Sequence, residues 1–327
     1  MQRYILQVVG FIVIFVISIN TIHNPFTANY INDMKELSTT VAVNKDPLYE
    51  QIVAEAEKYN IKPKNAEIHN VWKATPGYNG IKVDVKKSYE QMKKIGAFNP
   101  KLLVFKQVPP SIHLNDLKPA PIYRGHPEKP MVSFIVNVAW GNEYIPEMLD
   151  TLKKHHVKAT FFLEGRWVKE NPELAKMIAD AGHEIGNHSY THPNMAKLPT
   201  ASVREQLVKT NEVIVATTDV KPALFAPPSG NFRDEIVQIA HEMEMKTIMW
   251  SVDTIDWQRP EPHVLVERVM SKIHPGAIVL MHPTSSTAKS LETLIISIKQ
   301  KKLSIGSVSM LFDEERIIDE PLTDNPS

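Results

Sequence analysis

The spacing of apolar and polar positions divides the chain into stretches of different character. From Tyr4 to Ile19 the sequence is almost continuously apolar, broken by Gln7 and Ser18 and preceded by Arg3. The run is apolar on every face and shorter than the ~20 residues of an ordinary spanning helix. Residues 1–22 therefore read as a signal peptide or an uncleaved signal anchor, with Arg3 inside and the body outside the membrane. Residues 23–45 are polar and aperiodic, a tether. Residues 46–108 mix periods: a helix from Asp46-Pro47 through Tyr59 with Ile52, Val53 and Ala56 on one face, strands at Ala66–Trp72 and Ile81–Val85 about the turn Pro76-Gly77-Tyr78-Asn79-Gly80, a helix Lys86–Ile95 stopped by Gly96, and a strand Lys101–Val108. This predicts a small α+β accessory domain, with Lys86, Lys87, Lys93 and Lys94 on a solvated helix face.

Six of the 24 prolines fall within residues 109–130, which reads as a semi-rigid linker and a domain boundary. From 131 to 315 the pattern alternates. Strands are predicted at Met131–Val138, Ala159–Leu163, His183–Asn187, Leu224–Phe225, Lys246–Trp250 and Ala277–Met281. Helices are predicted at Ile145–His155, from Asn171-Pro172 to Ala181, and at Thr200–Thr217, Asn231–Met243, His263–Ile273 and Ala288–Lys301. Repeated βα units imply a parallel sheet or barrel, with ligands at the C-terminal ends of the strands. Asn137, His188, His192, Pro228, Asp253, Asp256 and His282 all fall at such ends. Residues 316–327 form a polar tail.

Composition narrows the chemistry. At 327 residues the chain holds a sizeable core and about two domains. Lys+Arg and Asp+Glu are both 37, so the near-zero net charge argues against a nucleic-acid partner. There is no cysteine, which excludes disulfides, thiolate metal sites and a Cys nucleophile. No G-x-S-x-G elbow supports a serine triad. What stands out is Gly182–Pro193, where His188 and His192 are four residues apart, the spacing that places two imidazoles on one face of a helical turn. His183 opens the same stretch. Two histidines fall short of the three protein ligands of a catalytic zinc site. Glu164 and Arg166, at a strand end, are candidates for contact with sugar hydroxyls, and the loop Trp140–Glu143 either faces substrate or only leads into a helix.

The order of motifs, Ala159-Thr160-Phe161-Phe162, His188-Ser189-Tyr190-Thr191-His192, Asp253-Thr254-Ile255-Asp256-Trp257 and Leu280-Met281-His282, resembles the polysaccharide deacetylase family (NodB homology), and more narrowly its YlxY-type sporulation branch, over Pro130–Phe312. The resemblance implies a deformed (β/α) barrel acting on N-acetylated envelope glycan, peptidoglycan or chitin-like, with zinc or another divalent transition metal. On this resemblance His188 and His192 match the metal histidines, His282 the general acid, and Asp253 the carboxylate beside it. Trp257, Leu280 and Pro228 match the substrate pocket. The resemblance also implies losses. Asn137 stands at the catalytic base, Val138 at the metal aspartate and Ala226 at the arginine that orients the base. An amide takes no proton near neutral pH and valine ligates nothing. Two readings follow: a deacetylase of weakened or altered activity, or an inactive glycan-binding or structural envelope protein that keeps the fold.

Overall fold

A computed structural model describes residues 46–317, so the apolar run, the tether and the end of the polar tail lie outside the described residues. The described chain falls into two units, residues 46–60 with 82–106, and residues 61–81 with 107–317.

In the smaller unit, Asp46 caps the helix Pro47–Ala56 by accepting from the Leu48 N–H at 2.8 Å, and its other oxygen accepts from Tyr89 Oη at 2.9 Å. Asp84 caps the helix Val85–Met92 in the same way through the Lys87 N–H. The two helices bury Leu48, Ile52, Ala56, Val83, Tyr89, Met92 and Leu103 in one cluster. Within residues 61–81 of the larger unit, strand β1 (Glu67–His69) pairs antiparallel with β2 (Lys73–Thr75); β3 (Gly80–Val83) pairs with β4 (Phe105–Val108). Residues 61–81, expected in the accessory domain, belong instead to the larger unit.

The larger unit is built on an eight-stranded sheet: β5 (Met131–Val138), β6 (Thr160–Leu163), β7 (Glu184–Asn187), β8 (Leu224–Phe225), β9 (Lys246–Thr247), β10 (Val252–Asp253), β11 (Ile278–Met281) and β12 (Ser304–Gly306). The order is β10-β11-β5-β6-β7-β8-β9, all parallel, and β12 pairs with the first half of β5. Alternation along β5 sorts two cores. Phe134, Val136 and Val138 join the helix-side cluster with Ile145 and Met148, whereas Met131 and Ile135 join an inner cluster with Phe162, Ala226, Ile248 and Leu280. An apolar layer on both faces is what a curled parallel sheet covered by helices requires.

The proline-rich stretch does not act as a free linker. Ile122 is buried at 2% exposure, its N–H donates to the Thr247 carbonyl at 2.9 Å, and its own carbonyl accepts from Met249 N–H at 2.8 Å. Three residues on, Gly125 N–H donates to the Gly276 carbonyl at 2.7 Å. The segment thus bridges the C-terminal end of β9 to the residues preceding β11. Its prolines supply extended backbone, which suits an edge as well as a spacer.

Candidate functional site

Parallel strands end on one rim, so residues distant in sequence converge there. β5 ends with Asn137 and Val138, β7 is followed by His188, β8 by Ala226, and β11 by His282. Asp256 lies in a single 3-10 turn just beyond β10.

The backbone N–H of His188 extends the ladder to Leu163 at 3.0 Å, which fixes the ring at the rim. Its Nδ1 lies 2.7 Å from the Ala226 carbonyl oxygen. A carbonyl only accepts, so Nδ1 carries the proton and Nε2 is a bare acceptor. Burial, with His192 adding to it, pushes the His188 pKa down to about 3, so the ring is neutral at any ordinary pH. The His192 ring stands edge-on to it, 5.0 Å away between centroids, and burial lowers its pKa too. The two rings are not on the helical turn that their spacing suggested. Ser189 and His192 take positive φ of 63° and 51°, and the stretch is a loop. Asn187 Oδ1 accepts from Ser189 N–H at 2.8 Å, and Ser189 Oγ from His192 N–H at 3.2 Å. Gln206 Oε1 accepts from the Tyr190 and Thr191 N–H groups. His183 is not part of the site: it precedes β7 and its Nδ1 accepts from Ala159 N–H at 3.2 Å.

The carboxylate beside His282 is Asp256, not Asp253. Asp256 is fully buried, and its Oδ1 lies 2.8 Å from His282 Nδ1. Its Oδ2 accepts from the His282 N–H at 2.5 Å and from Thr287 Oγ1 at 2.6 Å. Asp253 instead accepts from Ile255 N–H at 2.8 Å. The cause is local: Ile255 sits in the left-handed region at φ 52°, a conformation β-branched residues rarely adopt, and it turns the chain between the two aspartates. Thr287 lies outside every motif, and only the three-dimensional structure brings it to the site.

Between these groups in the strand order, Asn137 occupies the inward face of β5. It is 4% exposed, and its Oδ1 is buried with no hydrogen-bond partner. Val138 points the other way, fully buried in the helix-side core. Ala226 is also fully buried; its carbonyl orients His188, and its methyl stands where the resemblance expects an arginine.

The expected substrate residues separate by depth. Leu280 is buried, in register with Asp253 and Ile135, and forms the floor. Pro228 is buried, and Trp257 is 57% exposed at the rim. Trp140 is 45% exposed and stacks on His282, with centroids 6.0 Å apart and planes within 7°. Gly141 (φ 83°) permits this, because a Cβ there would lie 2.0 Å from the Pro283 carbonyl oxygen. Trp167 Nε1 donates to Asn142 Oδ1 at 2.6 Å and pins the same loop. Glu164 serves the fold: it is buried, caps the helix Gly165–Glu170 through Trp167 N–H at 3.1 Å and pairs with Arg166 at 3.3 Å. Burial raises its pKa.

Among the described residues no group of three or more His, Cys, Asp or Glu is placed to hold a metal ion. Two imidazoles, a neutral carboxamide and a valine do not make the three-ligand set that a hydrolytic zinc centre uses, so the donors present do not fit such a metal.

Comparison with known proteins bears on both units. The family described as polysaccharide deacetylase matches residues 124–248, and a putative peptidoglycan binding domain matches residues 17–94. The chain is 56% identical to the uncharacterized protein YlxY of Bacillus subtilis, over 94% of this chain and 97% of that one. It is 34% identical to a peptidoglycan-N-acetylglucosamine deacetylase of Bacillus cereus, over 53% of this chain and 65% of that protein. Among solved structures it is 61% identical, with a TM-score of 0.79, to wild-type BA3943 of Bacillus anthracis, described as a CE4 family pseudoenzyme, covering 85% of this chain and 98% of that one. A mutant of that pseudoenzyme is described as having restored enzymatic activity.

Proposed function

We propose, for a chain that belongs to the polysaccharide deacetylase family, that it binds N-acetylated peptidoglycan in the cell envelope without hydrolysing it. The observation that carries this reading is Val138. Where the resemblance expects an anionic metal ligand, the side chain is an alkyl group packed in the helix-side core. Asn137 removes the base and Ala226 the arginine, so polarisation of the amide carbonyl and activation of water are lost together. The family's metal would supply both when bound, but the donors here do not hold it. On this reading His188 and His192 mark the metal positions, His282 the acid position, and Asp256 the carboxylate that orients it.

Peptidoglycan is the favoured glycan for two reasons. A putative peptidoglycan binding domain matches the N-terminal part, and relatives of the larger unit are named peptidoglycan deacetylases. The cell envelope follows from the same names. No helix among the described residues is long and apolar enough to cross a membrane, and the signal or anchor proposed for residues 1–22 lies outside them.

The test measures metal content and acetate release from N-acetylglucosamine oligomers by the wild-type chain beside the triple variant Asn137→Asp/Val138→Asp/Ala226→Arg. Metal uptake and acetate release by the triple variant alone are the expected result. Metal-dependent acetate release by the wild type, abolished in His188→Ala, would overturn the reading. A second reading, a weak deacetylase, draws on the intact His282–Asp256 pair, and the same assay decides it.

A further inference from the structure

The buried amide of Asn137 asks for a partner that the protein does not provide. Its Oδ1 is enclosed and unpaired, although the residue is only 4% exposed and faces the inner side of the rim. The inner cluster on that face includes Ile135, Phe162 and Leu280. β5 and β6 place Asn137 opposite Phe162, and Leu280 lies opposite Ile135 one step deeper. At the same rim stands His188, whose Nδ1–H donates to the Ala226 carbonyl and leaves Nε2 to accept. A neutral carboxamide over an apolar floor is a poor place for a charge and a good one for another amide.

We infer that Asn137 turns the rim into a reader of intact acetamido groups: it hydrogen-bonds the N-acetyl group of the glycan, and the site discriminates N-acetylated from de-N-acetylated sugar. This rests on the proposed glycan binding and deepens it. An acetamido group offers one donor, one acceptor and a methyl. A carboxamide offers the same donor and acceptor, and rotation about its last bond exchanges them, so either orientation of a bound amide finds a match. The methyl meets the apolar floor. A de-N-acetylated sugar presents an ammonium, which has only donors, offers no acceptor to the Asn137 amide N–H and would have to leave water for an apolar floor. The substitution that removes the base from the reaction is thus the one that supplies recognition.

The experiment titrates the full chain with the N-acetylglucosamine tetramer and, separately, with the glucosamine tetramer. The acetylated oligomer is expected to bind at least about tenfold more tightly, the worth of one good hydrogen bond with desolvation. Asn137→Leu, of similar volume and without the amide, should lose that preference while its denaturation midpoint stays at or above that of the wild type. Asn137→Asp should narrow the gap by admitting the ammonium. Equal binding of the two oligomers by the wild type, or a preference that survives Asn137→Leu, overturns the inference while glycan binding stands. Binding of neither overturns the glycan reading itself.

Discussion

The Nδ1 of His282 lies 2.8 Å from Oδ1 of Asp256, and the other oxygen of the same carboxylate accepts from the His282 backbone and from Thr287. A buried carboxylate with three donors is part of the architecture. Its loss leaves those donors unsatisfied in the core, so Asp256→Ala should destabilise the larger unit by roughly 3–5 kcal/mol, and Thr287→Val by about 1 kcal/mol. Asp253→Ala, which removes one local turn contact, should cost well under 1 kcal/mol in the same urea titrations. Comparable losses for the two aspartates would refute the assignment.

Val138→Asp alone should be poorly tolerated. It places a carboxylate in a fully apolar cluster, and the group would be neutralised or would open the helix-side packing, at a cost of several kcal/mol. Combined with Asn137→Asp and Ala226→Arg, added zinc should recover part of that loss. Differential scanning fluorimetry with and without zinc checks this. A triple variant whose midpoint ignores zinc would mean that residue 138 cannot be turned back to the rim.

Asn137→Leu should stabilise the protein by about 1 kcal/mol, because an unpaired buried amide oxygen costs roughly 1–3 kcal/mol. A midpoint shift in denaturant reads this directly, and a clear loss of stability would show that the amide is satisfied after all.

Gly141→Ala should disturb the loop over the site. The residue has φ of 83° and its Cβ would collide with the Pro283 carbonyl, so a destabilisation of about 2 kcal/mol or more is expected. Trp140 should unstack from His282, changing tryptophan fluorescence. An unchanged spectrum and midpoint would contradict the packing.

Acid should weaken the fold through buried histidines outside the site. Burial holds His126 and His183 at pKa values near 4, below the ordinary 6.5. Between those limits the unfolded chain binds more protons than the folded one. The stability is therefore full above pH 6.5 and falls as pH drops toward 4, by up to about 1.4 kcal/mol per pH unit for each histidine. His183→Gln should flatten the slope of stability against pH in that window, and an unaltered slope would exclude its contribution.

Much of the larger unit is legible in the chain because its periods are clean. Met131–Val138 is a strand over the residues its apolar run marks, and the long helix predicted at Thr200–Thr217 runs to Thr218. The short helix Gly165–Glu170 is not legible in the sequence, since six residues capped by a buried Glu164 carry little periodicity. The fine geometry of the site was less legible. Two aspartates three apart are equivalent by motif, and what separates them is the left-handed Ile255, a conformation no sequence pattern announces. The histidine pair suggested a helix because four-residue spacing is helical, yet Ser189 and His192 achieve the same meeting of rings by reversing the chain. The prolines of residues 109–130 suggested a spacer because extended backbone looks alike in a linker and at a sheet margin, and only the partners of Ile122 and Gly125 tell them apart.

Those partners are main-chain groups, the Thr247 carbonyl and Met249 N–H for Ile122 and the Gly276 carbonyl for Gly125. No side chain supplies a bond of that lacing. The side chains of Asn137, Ala226 and His282 can therefore be exchanged without undoing it, and the scaffold holds its strands whatever chemistry its rim carries.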